Sequence, residues 1–509
     1  MATTRANLAL DTLLDIDNAG PGPLHERLTR SLRQAIRDGR LAPGSALPPS
    51  RALAVDLGCS RWVVTQAYEQ LLAEGYLTSR VGSATRVREL HPGTAELHGE
   101  RRPGATPSTS GRHGAAPRAV WPGGDQRRAD AHRLGSRTAP ARPTRERLDL
   151  APGLPDLRAF PRRRWVEAVR AQLAAMPYDE LAYPGPGGTA RFREVMADYL
   201  RRVRGAMVDA ADVTACSSVS DGVARVATLL RRNDITRIAV ENPGWTRLRQ
   251  TLQSVGLTTV GIPVDEEGLR VEDLAQHPDV RAVVVSPAHQ FPTGVVLSPR
   301  RRAALLAWAH EVDGLILEDD YDAEFRYDRR PIGTMQGTDC ERVALFGSLS
   351  KTMSPALGLG WMVTPPRWTA ELRAQEPVQS MPPALDQLTF ASFVESGGYD
   401  RHLRAARQRY RRRRDALVAA LTQHLPGHRI SGVAAGLHLV LDLEPGTAAD
   451  KVVSRAAAKG VRVADLDTYR LHPDPTAPAL VLGYGNLPDT GVQPAVVRLA
   501  EAIEESRRS

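Results

Sequence analysis

Residues 346–362 read FGSLSKTMSPALGLGWM, an apolar run that ends in a hydroxyl-rich turn and a lysine. That lysine, Lys351, is one of only three in the chain, with Lys451 and Lys459, among 67 basic residues. Arginine cannot replace a lysine whose amine must lose its proton and attack a carbonyl, because guanidinium stays protonated. Lys351 is therefore a candidate Schiff-base lysine, with a solvated surface lysine as the alternative. The surface role suits Lys451 and Lys459 better, since both lie in the amphipathic pattern DKVVSRAAAKG.

Composition sets the outer limits on fold and location. A chain of 509 residues with 42% hydrophobic content is long enough for two or more domains. Its three cysteines, Cys59, Cys216 and Cys340, are too widely spaced for a metal-ligand pattern or a disulfide framework. The N-terminus does not read as a signal peptide, and no stretch is apolar over the length of a membrane span. We therefore expect a soluble, cytoplasmic protein with no membrane partner.

Outward from the lysine, apolar strands alternate with helical patterns. The strands RIAVEN, RAVVVSP, GLILEDD and RVALFGS are separated by segments such as PRRRAALLAWAHEV. Alternation of this kind predicts a wound α/β sheet, in which ligand groups lie at the carboxyl ends of the strands.

Two strand ends carry groups that a pyridoxal phosphate site needs. Asp319 in ILEDDY is suited to pair with a protonated pyridine nitrogen, and Tyr321 to bond the phenolic oxygen of the ring. Trp245 in VENPGWTR is placed to stack on the ring, with Arg247 close by. Each residue alone has a structural alternative, as a turn residue, a cap or ordinary core.

Serines supply a candidate phosphate site. Ser217, Ser218 and Ser220 lie at a predicted helix N-terminus, where free amides and hydroxyls bind phosphate. Ser348 and Ser350 flank the approach to Lys351 and add hydroxyls. Simple helix capping is the alternative for all five.

The N-terminal region predicts a different domain. Leu24, Leu28, Leu32 and Ile36 form one face of a helix, and the segments RALAVDLG and RWVVTQAYEQLLAEGYL predict two further helices joined by a tight turn. This is a helix-turn-helix arrangement. The following TSRVGSATRV predicts a two-stranded wing.

DNA contacts follow from how such domains enter the major groove. The second helix enters by its N-terminal residues, which places Arg61 and Thr65 at base edges or phosphates. Ser60 is predicted to cap that helix and Ser50 the preceding one, while the wing tip at Gly82 approaches the backbone.

Between the two ordered regions, residues 88–148 lack apolar periodicity and carry twelve arginines against six acidic residues. We expect a disordered linker over 88–147. It either holds DNA phosphates loosely or is only a solvated tether.

Two family resemblances organise these observations. The run from PLHERL to AEGYL resembles the winged-helix domain of the GntR family of bacterial regulators, which implies DNA contacts by Arg51, Arg61 and Thr65. The family's wing usually turns at Gly-Ser-Gly, whereas this chain has Gly82-Ser83-Ala84.

Residues 148–509 resemble the fold-type I aminotransferases through YPGPGG, VENPGW, HQFPTG, LEDDYDAEFRY and SLSK. The order of the two resembles the MocR subgroup of transcription regulators. It implies a winged helix over 1–87, the linker, and an α/β domain over 148–509 with a large, mostly parallel sheet. A smaller C-terminal α/β subdomain would begin near residue 375.

The resemblance also assigns roles. It implies that Lys351 forms the internal aldimine of pyridoxal phosphate, with Asp319 at the pyridine nitrogen and Tyr321 at the phenolic oxygen. Trp245 takes the place of a stacking tyrosine, and Arg247 that of an effector-carboxylate ligand. His289 and Gln290 replace an asparagine-proline pair of the enzymes, and His289 is predicted to contact the cofactor.

Two positions depart from the family. An arginine that grips the cofactor phosphate usually lies seven residues after the lysine, where this chain has Gly358. Its loss would cost on the order of 1.5–3 kcal/mol. The C-terminal strand ALVLGYGNL also lacks a carboxylate-binding arginine, and Arg470 precedes it in a loop.

These observations predict a homodimeric regulator that binds an operator in double-stranded DNA and associates with the nucleoid. Its vestigial aminotransferase domain would sense pyridoxal phosphate or an amino compound, and docking of the winged helix on that domain would control DNA binding. The alternatives are an active aminotransferase with an appended DNA-binding domain, and a regulator whose effector domain binds no cofactor.

Overall fold

The structure is a computed structural model. It describes residues 14, 16, 19, 22–79, 85–88, 148–327, 332–375 and 381–508. The predicted linker, apart from Arg88, and the wing tip at Gly82 lie outside these ranges.

The N-terminal domain has the predicted three helices and two-stranded wing. Its elements are α1 (Leu24–Arg37), α2 (Ser50–Asp56), α3 (Arg61–Ala73), β1 (Leu77–Thr78) and β2 (Arg86–Val87). Leu28, Leu32 and Val64 are fully buried in its core, whereas Leu24 begins α1 and is 38% exposed. Pro49, one residue before the predicted Ser50, occupies the N-cap of α2.

The next domain is built on an eight-stranded sheet. Its strands, and the short strand that precedes them, are β3 (Leu148–Asp149), β4 (Val213–Cys216), β5 (Arg237–Asn242), β6 (Thr258–Asp265), β7 (Gly268–Leu269), β8 (Ala282–Val285), β9 (Leu315–Asp319), β10 (Val343–Ser348) and β11 (Gly360–Val363). The order in the sheet is β4-β11-β10-β9-β8-β5-β6-β7. The central run from β10 to β6 is parallel, and β11 is antiparallel to both of its neighbours. The carboxyl ends of β9 and β10 therefore open at the same edge of the sheet.

Helices accompany the sheet. They are α4 (Arg162–Ala175), α5 (Ala190–Tyr199), α6 (Val219–Arg232), α7 (Thr246–Ser254), α8 (Pro299–Glu311), α9 (Leu349–Thr352) and α10 (Pro366–Gln375). Along β9, Leu315 and Leu317 pack in the same core as α6 and α7, whereas Ile316 packs with α8. This alternation buries the strand on both faces, as parallel sheets require.

The C-terminal part forms the predicted smaller subdomain. Its elements are α11 (Ala384–Glu395), α12 (Gly398–His424), β12 (Ile430–Ser431), β13 (His438–Asp442), α13 (Ala449–Ala458), β14 (Val461–Arg462), β15 (Ala464–Asp465), β16 (Ala479–Gly483) and α14 (Val492–Arg507). Four of the strands form an antiparallel sheet in the order β12-β13-β16-β15. The predicted fold class is confirmed. In the described ranges, no helix combines the length and the apolar character needed to cross a bilayer.

Candidate functional site

A cavity of about 340 Å³ opens where β9 and β10 end. Its volume falls within the range of small-molecule sites. The residues that line it are Pro152, Gly153, Ser217, Ser218, Val219, Ser220, Trp245, Arg247, Phe291, Asp319, Tyr321, Ser348, Ser350, Lys351, Pro355, Leu437, His438 and Tyr469. Most of the residues predicted from separate strand ends therefore meet in one cavity.

Lys351 lies on α9, directly after β10, and its Nζ donates a hydrogen bond to the carbonyl oxygen of Gly153 at 2.7 Å. Burial lowers the pKa of the Lys351 amine below its ordinary value, and the negative charges of Asp319 and Asp322 oppose this shift. A lowered pKa leaves more of the amine unprotonated near neutral pH, which is the nucleophilic form.

Asp319 ends β9 and is 5% exposed. Burial raises its pKa to about 7, the negative charges of Asp320 and Asp322 add to the shift, and Lys351 opposes it. Its Oδ1 atom is buried and forms no hydrogen bond within the described part of the chain. An uncompensated buried carboxylate of this kind is suited to a cationic ligand.

Tyr321 lines the cavity, and His289 lies beside it. The Nδ1 atom of His289 is 3.1 Å from the Tyr321 hydroxyl and 3.0 Å from Asp322 Oδ2. His289 is 2% exposed but is not one of the lining residues. His289 therefore contacts the Tyr321 hydroxyl, and its direct contact with a cofactor stays a prediction.

The five serines predicted to bind phosphate line the cavity. Ser218 is the N-cap of α6, and its hydroxyl accepts a bond from the amide of Asp221 at 3.2 Å. Ser348 caps α9 in the same way through the amide of Ser350. Because Asp221 places a carboxylate in the first turn of α6, the helix terminus is less positive than the serines alone imply.

Several lining residues were missed by the sequence analysis. Gly153 comes from the segment before α4, Phe291 from the loop after β8, and His438 and Tyr469 from the C-terminal subdomain. Gly153, Phe291 and Tyr469 lie outside the strands, and His438 lies at the amino end of β13 rather than at the carboxyl end of a strand of the large sheet. In the sequence, only the position of Phe291 within HQFPTG offered a signal.

The structure describes the surroundings of Gly358 and of Arg470, the two residues noted above as departures from the family pattern. Gly358 is left-handed, with φ 55°, and a Cβ there would meet no atom within 4 Å. Arg470 bonds Asp467 and donates to the carbonyl oxygens of Asp474 at 3.2 Å and Ala477 at 2.9 Å. Arg470 therefore holds its own loop together and does not line the cavity.

The predicted DNA-contact residues cluster at the start of α3. Ser60 is its N-cap residue without a side-chain capping bond, and Arg61 Nε donates to the Ser50 hydroxyl at 3.3 Å. Arg51 and Arg61 are exposed, and Thr65 is half-buried one turn further on. The sequence analysis missed Trp62, which is 57% exposed. Its ring centroid lies 4.8 Å from that of His25, which places an aromatic surface beside Arg61.

Two family models match the chain. The model of bacterial regulatory proteins of the gntR family matches residues 24–87, and the model of aminotransferase class I and II matches residues 147–473. The second match covers most of the chain and contains every cavity residue described above.

Full-length relatives combine the same two parts. The HTH-type pyridoxine biosynthesis transcriptional regulator PdxR of Corynebacterium glutamicum is 32% identical over 88% of this chain and 89% of its own length. The probable rhizopine catabolism regulatory protein MocR of Rhizobium meliloti is 32% identical over 96% of this chain and 94% of its own. Among solved structures, an archaeal alanine:glyoxylate aminotransferase superposes with a TM-score of 0.66 at 23% identity, covering 71% of this chain and 92% of that one. The chain therefore belongs to the GntR family of HTH-type transcriptional regulators, in the MocR subgroup that joins a winged helix to an aminotransferase class I and II domain.

Proposed function

We propose that this regulator binds pyridoxal 5'-phosphate in the cavity through Lys351, and that occupancy of the cavity changes its affinity for DNA. The observation that carries the proposal is that the Lys351 amine and the unbonded Asp319 carboxylate line the same cavity. An amine with a lowered pKa, a buried anion and a group of hydroxyls fit the carbonyl, ring nitrogen and phosphate of this cofactor.

Different lining residues of the cavity would hold different parts of the cofactor. Bound pyridoxal phosphate supplies a reactive carbonyl and an electron-withdrawing ring. Lys351 would supply the amine that holds the carbonyl carbon, with loss of water, and would give up its bond to Gly153. Asp319 would hold a proton on the ring nitrogen, Tyr321 would bond the phenolic oxygen, and Trp245 would cover a ring face. Ser217, Ser218 and Ser348 would bond the phosphate.

A sensory role is favoured over turnover. Among the lining residues, the cationic side chains are Lys351 and Arg247. With Lys351 committed to the cofactor, Arg247 remains to hold the carboxylate of an amino compound, and Arg470 is bound within its own loop. We infer a vestigial aminotransferase domain that senses the cofactor itself or its adduct with an amine. Repeated transamination of amino acids by the purified protein would favour the enzymatic alternative.

The proposal is tested by gel shift with the full-length chain and a duplex selected from random oligonucleotides, with and without pyridoxal phosphate. We expect the dissociation constant for the duplex to change by about fivefold or more, which corresponds to a typical allosteric coupling. Identical constants with a cofactor that demonstrably binds would refute a regulatory role for the cavity. The regulator would act on nucleoid DNA in the cytoplasm.

Arg61→Ala should weaken binding to the selected duplex by about tenfold or more, because a base-edge or phosphate contact by arginine is worth about 1–3 kcal/mol. The matched control is Arg163→Ala, which removes the same charge from a side chain that is 90% exposed on α4. Fluorescence anisotropy at fixed salt measures both. Equal effects of the two substitutions would show that only net charge matters.

Gly358→Arg should tighten pyridoxal phosphate binding by about tenfold. A guanidinium–phosphate contact contributes about 1.5–3 kcal/mol to binding, whereas the cost of left-handed backbone at a non-glycine residue, about 1 kcal/mol, lowers the folding stability with and without cofactor. Gly358→Ala carries the backbone cost without the guanidinium and should not bind more tightly than wild type. Absorbance titration gives the dissociation constants, and a wild-type cofactor that resists dialysis would contradict weak binding.

We further propose a homodimer. Five large apolar side chains are exposed within one short stretch of chain, at Val166, Leu173, Tyr178, Leu181 and Tyr183, with exposures of 46% to 89%. Exposed large apolar side chains concentrated in one segment are typical of protein interfaces. The symmetry of DNA half-sites favours a second copy of this chain as its occupant.

Leu181→Asp should shift the protein from dimer to monomer in sedimentation velocity, because it buries a charge in the interface. Val497→Asp, at an apolar position that is 38% exposed on α14, serves as the control. A monomeric wild-type protein at micromolar concentration would exclude the dimer.

A further inference from the structure

The winged helix contacts the aminotransferase-like domain chiefly through Arg37 and Tyr76, and Arg88 donates a further bond to the carbonyl oxygen of Pro299 at 3.1 Å. Arg37 Nη2 donates to the carbonyl oxygen of Gly337 at 2.7 Å and also to that of Gly205. The Tyr76 hydroxyl donates to the same Gly337 oxygen and accepts a bond from Arg37 Nε at 3.0 Å. We call Gly205 and residues 333–337 the docking surface. Arg61 and Trp62 stay exposed in this arrangement, so docking leaves the start of α3 accessible.

The contact is closely packed. Arg33 and Glu74 of the winged helix form an ion pair at 2.7 Å, and Glu74 is 3% exposed. A Cβ on Gly333 would lie 2.8 Å from Glu74 Cδ, and one on Gly205 would lie 3.3 Å from Arg33 Cζ. Glycine at these two positions therefore lets the Arg33–Glu74 pair lie directly against the backbone of the docking surface.

Side chains at the end of β9 hold the docking surface in place. The Glu318 carboxylate accepts the amides of Met335 and Gln336, each at 3.0 Å. Asp320 forms a two-bond ion pair with Arg204, at 2.7 and 2.8 Å. Arg204 is 1% exposed and ends the π-helical turn immediately before Gly205. Both backbone segments under the winged helix are thus anchored to one strand end.

The same strand end lines the cavity. Successive side chains of a strand point to opposite faces, so Glu318 and Asp320 share one side and Asp319 and Tyr321 the other. Asp319 and Tyr321 both line the cavity of the candidate cofactor site. Buried atoms without a hydrogen bond in the described ranges occur on both sides, at Asp319 Oδ1 and Arg204 Nη1.

We propose that residues 318–321 couple the cavity to the docking surface, so that a cationic ring held by Asp319 tightens the seating of the winged helix. The inference rests on the proposed binding of pyridoxal phosphate. Asp319 and Asp320 are adjacent buried carboxylates that repel each other, and Arg204 neutralises only the second. A cation at Asp319 relieves that repulsion, which strengthens the Asp320–Arg204 pair and fixes Gly205. The coupling is reciprocal, so a docked winged helix must also tighten the cofactor.

The test is amide hydrogen exchange on the full-length chain, with and without saturating pyridoxal phosphate, followed in α1 and in residues 333–337. In wild type the cofactor should slow exchange at both by about fivefold or more. Tyr76→Phe keeps the buried ring and removes the hydroxyl that bonds Gly337. Because Arg37 keeps its bonds to Gly205 and Gly337, this variant should diminish the cofactor effect on α1 rather than remove it, and should weaken cofactor binding by the factor that is lost. Tyr68→Phe is the matched control, because the Tyr68 hydroxyl bonds Pro48 inside the winged helix.

The outcomes separate the two proposals. No visible cofactor band in wild type would overturn the proposed cofactor site and the coupling with it. A normal band with unchanged exchange in α1, or an undiminished effect in Tyr76→Phe, would overturn the coupling alone. If circular dichroism shows that Tyr76→Phe is not folded, Arg37→Gln removes the other bond to Gly337 and decides in the same way.

Discussion

Lys351→Ala protein should show no visible absorption band beyond that of the free cofactor when it is titrated with pyridoxal phosphate, whereas wild type should show one. The band requires covalent attachment of the cofactor to an amine, and Lys351 is the amine that lines the cavity. Its pKa is lowered chiefly by burial, so a larger share of this amine is in the reactive, unprotonated form than for an ordinary lysine. We expect loss of the band to be complete, with only weak non-covalent binding left through Asp319 and the serines.

The scarcity of lysine makes this measurement unusually direct. Borohydride reduction followed by peptide mass analysis should place the adduct on Lys351 in wild type. Lys451→Ala, at an exposed position of α13, is the control and should behave as wild type. An equal reduced adduct in Lys351→Ala protein would show that the attachment is adventitious. The aminotransferase-like domain would then be a scaffold that senses something else.

Asp319→Asn should stabilise the cofactor-free protein at pH 8. The folded-state pKa of Asp319 is raised to about 7, while in the unfolded chain this carboxyl has a pKa of about 3.9. Between these values the folded protein holds a proton that the unfolded chain releases, so the unfolding free energy falls as pH rises through this window. Above pH 7 the penalty is complete and amounts to about 4 kcal/mol.

The readout is how the stability gain of Asp319→Asn over wild type varies with pH. It should grow by about 2 kcal/mol between pH 5.5 and pH 8, measured by urea unfolding of cofactor-free protein. Glu241 and Glu318, whose pKa values burial raises to about 8 and about 7, are present in both proteins and largely cancel. A stability gain that does not vary with pH would mean that the pKa of Asp319 is not raised in the folded protein. The variant should also bind pyridoxal phosphate more weakly, since the ring nitrogen loses its anion.

Much of this architecture was predictable because it is local. The alternation of strands and helices placed Asp319 and Lys351 at neighbouring strand ends, and parallel pairing of β9 and β10 brings those ends together. The N-terminal periodicity likewise predicted α1 to α3. Phe291, His438 and Tyr469 could not be predicted in the same way, because they reach the cavity from loops and from another subdomain.

The docking surface left no readable signal in the sequence. Arg33 and Arg37 lie on α1 as charged residues that solvent would accommodate equally well, and their partners are backbone carbonyl oxygens and one distant glutamate. Gly205, Gly333 and Gly337 belong to no recognisable turn motif. Only the fold reveals that these glycines share one surface.

Those glycines also limit how the protein can be re-engineered. In one possible chimera, the whole winged helix is replaced by the DNA-binding domain of another regulator. The side chains of that domain would lie against backbone that leaves no room for a methyl group. It should bind its own operator but no longer respond to the ligand. A graft confined to the exposed start of α3, with α1, Glu74 and Tyr76 retained, should instead read a new sequence while keeping the original response. The aminotransferase-like domain can therefore be transferred to a new regulator only together with the surface of the winged helix that contacts it.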